Sequence, residues 1–300
     1  MNERYALGYG LTAVLLWSTV ATAFKITLQS FTPLQMLAAA STVSVLALTA
    51  IAAYQNKLHL VGRTLRSRPL YYLALGLINP LAYYLILFQA YDLLPASLAQ
   101  PLNYSWAITL TLMAAVFLGH KIRKQDWVAC LLGYAGVVVI ATKGDVLALE
   151  FDNPTGVALA LVSTLLWAMY WILNTKNQAD PVISVLLGFL ISLPFSVGAS
   201  LYLQGWPAAP WRGWAAVSYV GLFEMGITFV LWINALKMTR NTARISNLIF
   251  IAPFISLMLL ATIIGEEIHS STLLGLVMII IGLLCQQWKS KTQKAEQPAS

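Results

Sequence analysis

A chain of 300 residues that is 59% apolar and only 10% charged, with a mean hydropathy of +0.74, has too few charges to solvate a globular surface of its size. The net charge of +7 is no nucleic-acid signal, because lysines and arginines sit in short clusters between apolar runs and form no basic stripe. Composition therefore excludes an ordinary soluble domain and points to a polytopic membrane protein.

A helix needs about 20 apolar residues to cross the hydrocarbon core. Taken in chain order, such runs fall at 5–28, 33–54, 70–91, 95–118, 126–142, 155–175, 181–203, 212–236, 242–264 and 271–288. Pro33, Pro69, Pro95, Pro154 and Pro181 stand at or just before run starts, where a missing N–H costs nothing because the first helical turn leaves its N–H groups unpaired. The first run contains Trp17, continues to Lys25 and shows no small-residue cleavage site, so it is expected to remain as a span. Cys130 and Cys285 lie inside apolar runs and are expected as free thiols. The polar tail 289–300 reads as disordered.

Charge placement orients the spans. With a cytoplasmic N-terminus, fifteen of the eighteen lysines and arginines fall on the inner side; the outer side receives only Lys25, Lys143 and Arg212. Adding or removing one span would scramble that division, so ten spans with both termini cytoplasmic are expected.

The chain also repeats itself. Residues 76–90 align without gaps on 221–235, with Gly76-Leu77 on Gly221-Leu222 and Gln89-Ala90 on Asn234-Ala235. Gly119-His120-Lys121-Ile122 matches Gly265-Glu266-Glu267-Ile268, Gly136 then matches Gly282, and Leu15-Leu16-Trp17 matches Leu165-Leu166-Trp167. The halves, 1–145 and 146–288, hold five spans each. An odd number inverts the second copy in the membrane, an arrangement that places binding sites at mid-depth between repeats.

Polar groups at mid-membrane are costly and informative. Glu224 lies at the centre of its span, and its repeat partner Asn79 lies near the centre of 70–91, just before Pro80. A carboxylate there can meet a substrate ammonium or merely bond to a neighbouring helix. Trp127, Trp206, Trp211, Trp214 and Trp288 lie near span ends, as belt residues do. Trp17, Trp106 and Trp167 instead sit near span midpoints. Trp167, Tyr170, Trp171 and Asn174 share one helical face; Asn79 shares one with Tyr83, next to Tyr84; Gln100, Asn103 and Tyr104 share another; and Glu224, Thr228 and Trp232 follow an i, i+4, i+8 spacing. Faces that mix π surface with hydrogen-bonding groups suit an amphipathic guest, although aromatic residues also fill bundles. The expected substrate-binding set is Trp17, Asn79, Tyr83, Asn103, Tyr104, Trp106, Trp167, Trp171, Glu224 and Trp232. Pro80, Pro101 and Pro253 interrupt helices within the membrane, as Pro194 does, and serve either as gating kinks or as static bends. Lys25, one turn inside its span, either snorkels to the interface or contacts an anion. His59, His120 and His269 fall at or beyond span ends, so no buried metal site is expected. No GxGxxG, Walker or HExxH motif occurs on a loop, so neither a cofactor nor an ATPase subunit is implied.

Five-plus-five spans, an Ala-Leu…Ser/Thr-x-Ala segment opening the fourth span of each half and Gly265-Glu266 closing the ninth resemble the drug/metabolite transporter superfamily, EamA type, over residues 5–288. Within it, Asn103-Tyr104-Ser105-Trp106 is most similar to the YddG amino-acid exporters. The resemblance implies an all-α integral membrane fold: ten transmembrane helices as two inverted five-helix repeats around a central cavity. It also implies export of amino acids, including aromatic ones, across a bacterial-type inner membrane, with multidrug or other metabolite export as the alternative. One departure stands out, since His120 occupies the position where the second half has Glu266. The expected cavity is lined by spans 1, 3, 4, 6, 8 and 9 and opens to each side in turn. A single central carboxylate without an acid–base relay favours gradient-following movement over proton antiport.

Overall fold

The computed structural model describes residues 3–148, 151, 153–239, 245 and 247–287. Among them no strand occurs. Nine helices are long and apolar enough to cross a bilayer: α1 (Glu3–Leu28), α2 (Pro33–Tyr54), α3 (Pro69–Leu93), α4 (Ala96–Leu118), α5 (Lys124–Ala141), α6 (Pro154–Asn174), α7 (Pro181–Leu203), α8 (Trp211–Leu236) and α9 (Asn247–Ile264). A tenth apolar helix, α10 (Ser270–Gln287), completes the set. The first residues expected for the ninth span, together with Trp288 and the tail 289–300, lie outside the described residues.

Local chemistry sets the starts. Pro33, Pro69, Pro154 and Pro181 are first residues of their helices, and Pro95 stands one residue ahead of α4. Thr32 and Gln35 form a reciprocal capping box on α2, Asn153 Oδ1 accepts the Gly156 N–H at 2.9 Å on α6, and Asp180 Oδ1 accepts those of Val182 and Ile183 at 3.0 and 3.4 Å on α7. The basic connection between α2 and α3 contains a further short helix, His59–Ser67, with no buried residue; it is too short and polar to span.

The two halves interlock. α1 packs on α8 and α9 of the other half, while its repeat equivalent α6 packs on α3 and α4. The second spans, α2 and α7, pair with each other, as do the fifth spans, α5 and α10. Repeat glycines mark where these crossings are closest. A β-carbon on Gly76 would stand 2.9 Å from the Gly188 carbonyl oxygen and 3.0 Å from Ile191 Cβ; one on Gly221 would stand 2.5 Å from the Ala40 oxygen and 2.7 Å from Val43 Cβ. Thus α3 crosses α7, and α8 crosses α2, through the matched glycine of each repeat. In the α5–α10 pair, Gly136 meets the Gly275 oxygen and Gly282 the Ala129 oxygen, which are again exchanged copies of one contact. Lipid offers little hydrophobic drive between spans, so close backbone approach of this kind supplies the association.

Candidate functional site

Two spans are broken at the same repeat position. α3 turns non-helical at Asn79 (φ −139°, ψ 119°), because the residue before a proline is pushed out of the helical region. α8 widens into a π turn over Val220–Glu224 and breaks at Gly226 (φ −126°, ψ −94°). A β-carbon on Gly226 would stand 3.0 Å from the Leu222 carbonyl oxygen and 3.2 Å from that of Gly221, close enough that the π turn would have to shift to admit a side chain. In the repeat register Asn79 corresponds to Glu224, and each sits at the break of its helix. Broken spans free backbone groups at mid-depth, which membrane proteins tolerate where the backbone is buried in protein or lines a cavity. Asn79 is buried with its Oδ1 unpartnered, while Glu224 is only half-buried and accepts a hydrogen bond from the Tyr84 hydroxyl at 3.2 Å. Tyr83 and Tyr104 also lie within electrostatic range of that carboxylate.

Around the breaks runs a connected set of rings. Trp17 on α1 meets Trp232 (5.4 Å between centroids) and Phe229 (5.6 Å) on α8. Phe229 in turn lies 6.4 Å from Trp167 on α6, so the two repeat-equivalent tryptophans are joined through one phenylalanine. Trp167 stacks on Tyr83 at 4.7 Å and on Tyr170 at 5.6 Å, and meets Trp106 and Trp171 edge-on at 6.3 and 6.0 Å. On α4 the helix ending at Tyr104 is interrupted at Ser105 and resumes at Trp106. Asn103 Nδ2 donates to Ser163 Oγ at 2.9 Å, and Thr109 and Thr164 share a hydrogen bond at 3.1 Å, which makes a polar seam between α4 and α6.

Of the expected residues, Trp17, Tyr83, Trp106, Trp167, Trp171 and Trp232 are linked in this ring network, and Asn79, Tyr104 and Glu224 lie at or beside the helix breaks. Asn103 faces α6. Trp171 is the most exposed of the expected tryptophans and lines a cavity of about 630 Å³ between α4, α6 and the α5–α10 pair; that cavity contains none of the other expected residues. Pro80 sits at the α3 break, Pro101 four residues before the α4 interruption, and Pro253 where α9 passes from a 3₁₀ turn to α-helix. Sequence reasoning left Tyr84, Tyr170, Phe229 and the Gly226 break out of the set. Repeat alignment was the available signal, since Phe229 falls on Tyr84 and Gly226 falls two residues beyond Glu224. Lys25 has partners that neither expectation named: its Nζ donates to the carbonyl oxygens of Tyr91 and Leu94 at 3.0 and 3.2 Å.

Ten apolar spans, interlocked inverted halves and aligned helix breaks at mid-depth define a polytopic membrane protein of the transporter class rather than an enzyme. Residues 4–142 and 154–286 each match the EamA-like transporter family, and the chain belongs to that family. It is 26% identical over 287 residues to the aromatic amino acid exporter YddG of Ancylobacter novellus, covering 94% of this chain and 96% of that one. It is 23% identical to the uncharacterized transporter YvbV of Bacillus subtilis, over 75% of this chain and 73% of that one, and 24% identical to the uncharacterized inner membrane transporter YedA of Escherichia coli K12, over 58% and 56%. A solved crystal structure shares the fold with a TM-score of 0.67 at 24% identity, covering 94% of this chain and 97% of its own.

Proposed function

We propose that this transporter exports amino acids, including aromatic ones, across an inner membrane, with both termini cytoplasmic. The carrying observation is that Glu224, at one of two repeat-aligned helix breaks, bonds to Tyr84, whose ring meets Tyr83 and through it the Trp167 network, while Asn79 lies at the matching break one turn before Tyr83. A zwitterion with an apolar side chain needs both parts: a carboxylate and an amide oxygen for its ammonium, and rings for its side chain. The 26% identity to a protein named as an aromatic amino acid exporter supports the same substrate class. Trp17, Tyr83, Trp106, Trp167, Trp171 and Trp232 form the walls; Asn79, Asn103, Tyr104 and Glu224 orient the polar head. Pro80, Pro101 and Pro253 bend the moving helices. Residues 1–145 and 146–288 act as the two repeats, and alternating access moves α1, α8 and α9 against α3, α4 and α6.

The test is counterflow in liposomes that contain only this protein, preloaded with unlabelled amino acid and given labelled amino acid outside, without a pH gradient. Saturable uptake competed by aromatic amino acids and lost in Glu224→Gln is the expected result. No uptake of any amino acid by folded protein rejects the amino-acid reading and leaves export of other apolar metabolites.

A further inference from the structure

Two contacts on one face of the membrane tie the moving groups of helices together. Call the face that carries the N-terminus the near face, and the opposite one the far face. At the far face Lys25, in the last turn of α1, donates to the Tyr91 and Leu94 carbonyl oxygens at the end of α3. At the same face Glu266, just beyond α9, accepts the backbone N–H groups of Ala96 and Ser97, which open α4, at 3.0 and 2.9 Å. Both contacts therefore run from the α1–α8–α9 group to the α3–α4–α6 group. Each charge also matches the helix end it meets, a cation on terminal carbonyls and an anion on terminal N–H groups. Next to Lys25 in the chain, Phe24 is buried and packs edge-on against Phe88 and Tyr91 of α3 at 4.9 and 5.1 Å, an apolar plug beside the charged contacts.

Among the described residues the near face shows no such arrangement. The repeat equivalent of Lys25 is Thr175, whose hydroxyl is spent on the Ile172 carbonyl of its own helix, and the equivalent of Glu266 is His120. Packing follows the same asymmetry: α1 lies directly against α3 and α4, whereas no comparable packing joins α6 to α8 or α9 among the described residues. We infer that Lys25 and Glu266 are gate residues of the transport cycle, a charged latch that holds the far face shut in this conformation and releases when the site opens to that face. One gate is thus closed by charge on helix ends, its counterpart among the described residues is not, and the departure at His120 is the sequence trace of that difference. The inference rests on the alternating-access reading but not on the substrate.

The test follows accessibility in lipid nanodiscs, where both faces meet the reagent. In a background with Cys130→Ala and Cys285→Ala, Ser97→Cys reports on the far face, because the Ser97 side chain is fully buried within the latch, its hydroxyl has no partner, and the backbone N–H that Glu266 holds is kept. Asn174→Cys, half-buried near the end of α6, reports on the near face. A water-soluble maleimide should label Ser97→Cys slowly and Asn174→Cys quickly. Lys25→Met or Glu266→Gln should raise the first rate on the order of tenfold, as expected for losing a hydrogen bond to a charged group, and lower the second. Lys25→Arg keeps the cation and should keep the first rate low. Each arm of the latch has its own variant, so if one misfolds the other decides. Unchanged rates in a variant that elutes and melts like its parent overturn the latch. So does a rise of both rates together, which is local loosening and not a shift between two states. Neither readout involves transport, so failure here leaves the counterflow result standing on its own.

Discussion

Alanine at position 221 would set a β-carbon 2.5 Å from the Ala40 carbonyl oxygen and 2.7 Å from Val43 Cβ. Neither neighbour is the free end of a flexible side chain, so α8 must withdraw from α2 by roughly 0.9 Å to restore ordinary contact. Overpacking of that kind costs about 1–3 kcal/mol. The withdrawal also disturbs function, because Gly221 lies in the same π turn as Glu224 and its own carbonyl accepts the Ser44 hydroxyl at 2.9 Å. Gly76→Ala meets its neighbours at 2.9 and 3.0 Å and should cost less, and Gly198, with nothing within 4 Å, should accept alanine at no loss. At Gly198 the better helix former should even add up to about 1 kcal/mol. Thermal unfolding of the three variants in one detergent should therefore rank Gly221→Ala below Gly76→Ala below Gly198→Ala, with counterflow half-saturation weakened most in Gly221→Ala. If Gly221→Ala melts with Gly198→Ala, helix crossings at the repeat glycines do not hold the bundle.

Other outcomes are as specific. Tyr84→Phe removes the donor 3.2 Å from Glu224 while keeping the ring that packs on Phe88, so apparent affinity in counterflow should weaken about tenfold with folding intact. Trp167→Ala removes two stacked, two edge-on and one tilted ring contact, each worth about 0.5–1.5 kcal/mol, and should abolish saturable uptake, while Trp167→Phe should retain part of it. At the near face Asp180 is partly buried, which pushes its carboxyl up, but the Lys57 ammonium at 2.7 Å and the N–H groups of Ile183 and Val182 outweigh burial and hold it below the usual carboxylate range. Its contribution is fully present above an unfolded value of about 3.9 and is lost as pH falls through the lower folded value. Melting of Asp180→Asn should accordingly depend less on pH below about 4 than melting of the parent, by no more than about 1 kcal/mol for a pair this exposed.

How much of this was legible depended on the range of the interaction. Span positions, proline starts and the repeat came from local hydropathy and spacing, which lipid imposes residue by residue. That is why Trp17 and Trp167 could be paired from three letters each. The α8 break was harder to see because it lacks a proline: Gly226 bends only in combination with the π turn before it, and an isolated glycine in an apolar run carries no such instruction. Phe229, which joins the two tryptophans, belongs to no polar face and looked like any lipid-facing ring. Lys25 was least legible of all. Its partners are backbone carbonyls of Tyr91 and Leu94, and a carbonyl has no letter in the sequence.

The same reasoning explains why the repeat is kept in some places and broken in others. Positions where the halves cross backbone to backbone, Gly76 with Gly188 and Gly221 with Ala40, serve both copies identically, because a helix crossing is the same on either side of the membrane. Polar positions that would face the proposed zwitterion need not stay identical, since such a guest is not symmetric: Asn79 presents an amide where Glu224 presents a carboxyl group, whereas the ring positions Trp17 and Trp167 do match. Positions at the two gates need not match either, because a carrier that spends unequal time open to each side requires unequal gates. Lys25 opposite Thr175 and Glu266 opposite His120 are differences of that last kind. The glycine crossings are thus matched in both copies, whereas the charged and polar positions of the proposed site and gates, Asn79 against Glu224, Lys25 against Thr175 and Glu266 against His120, are where the copies differ.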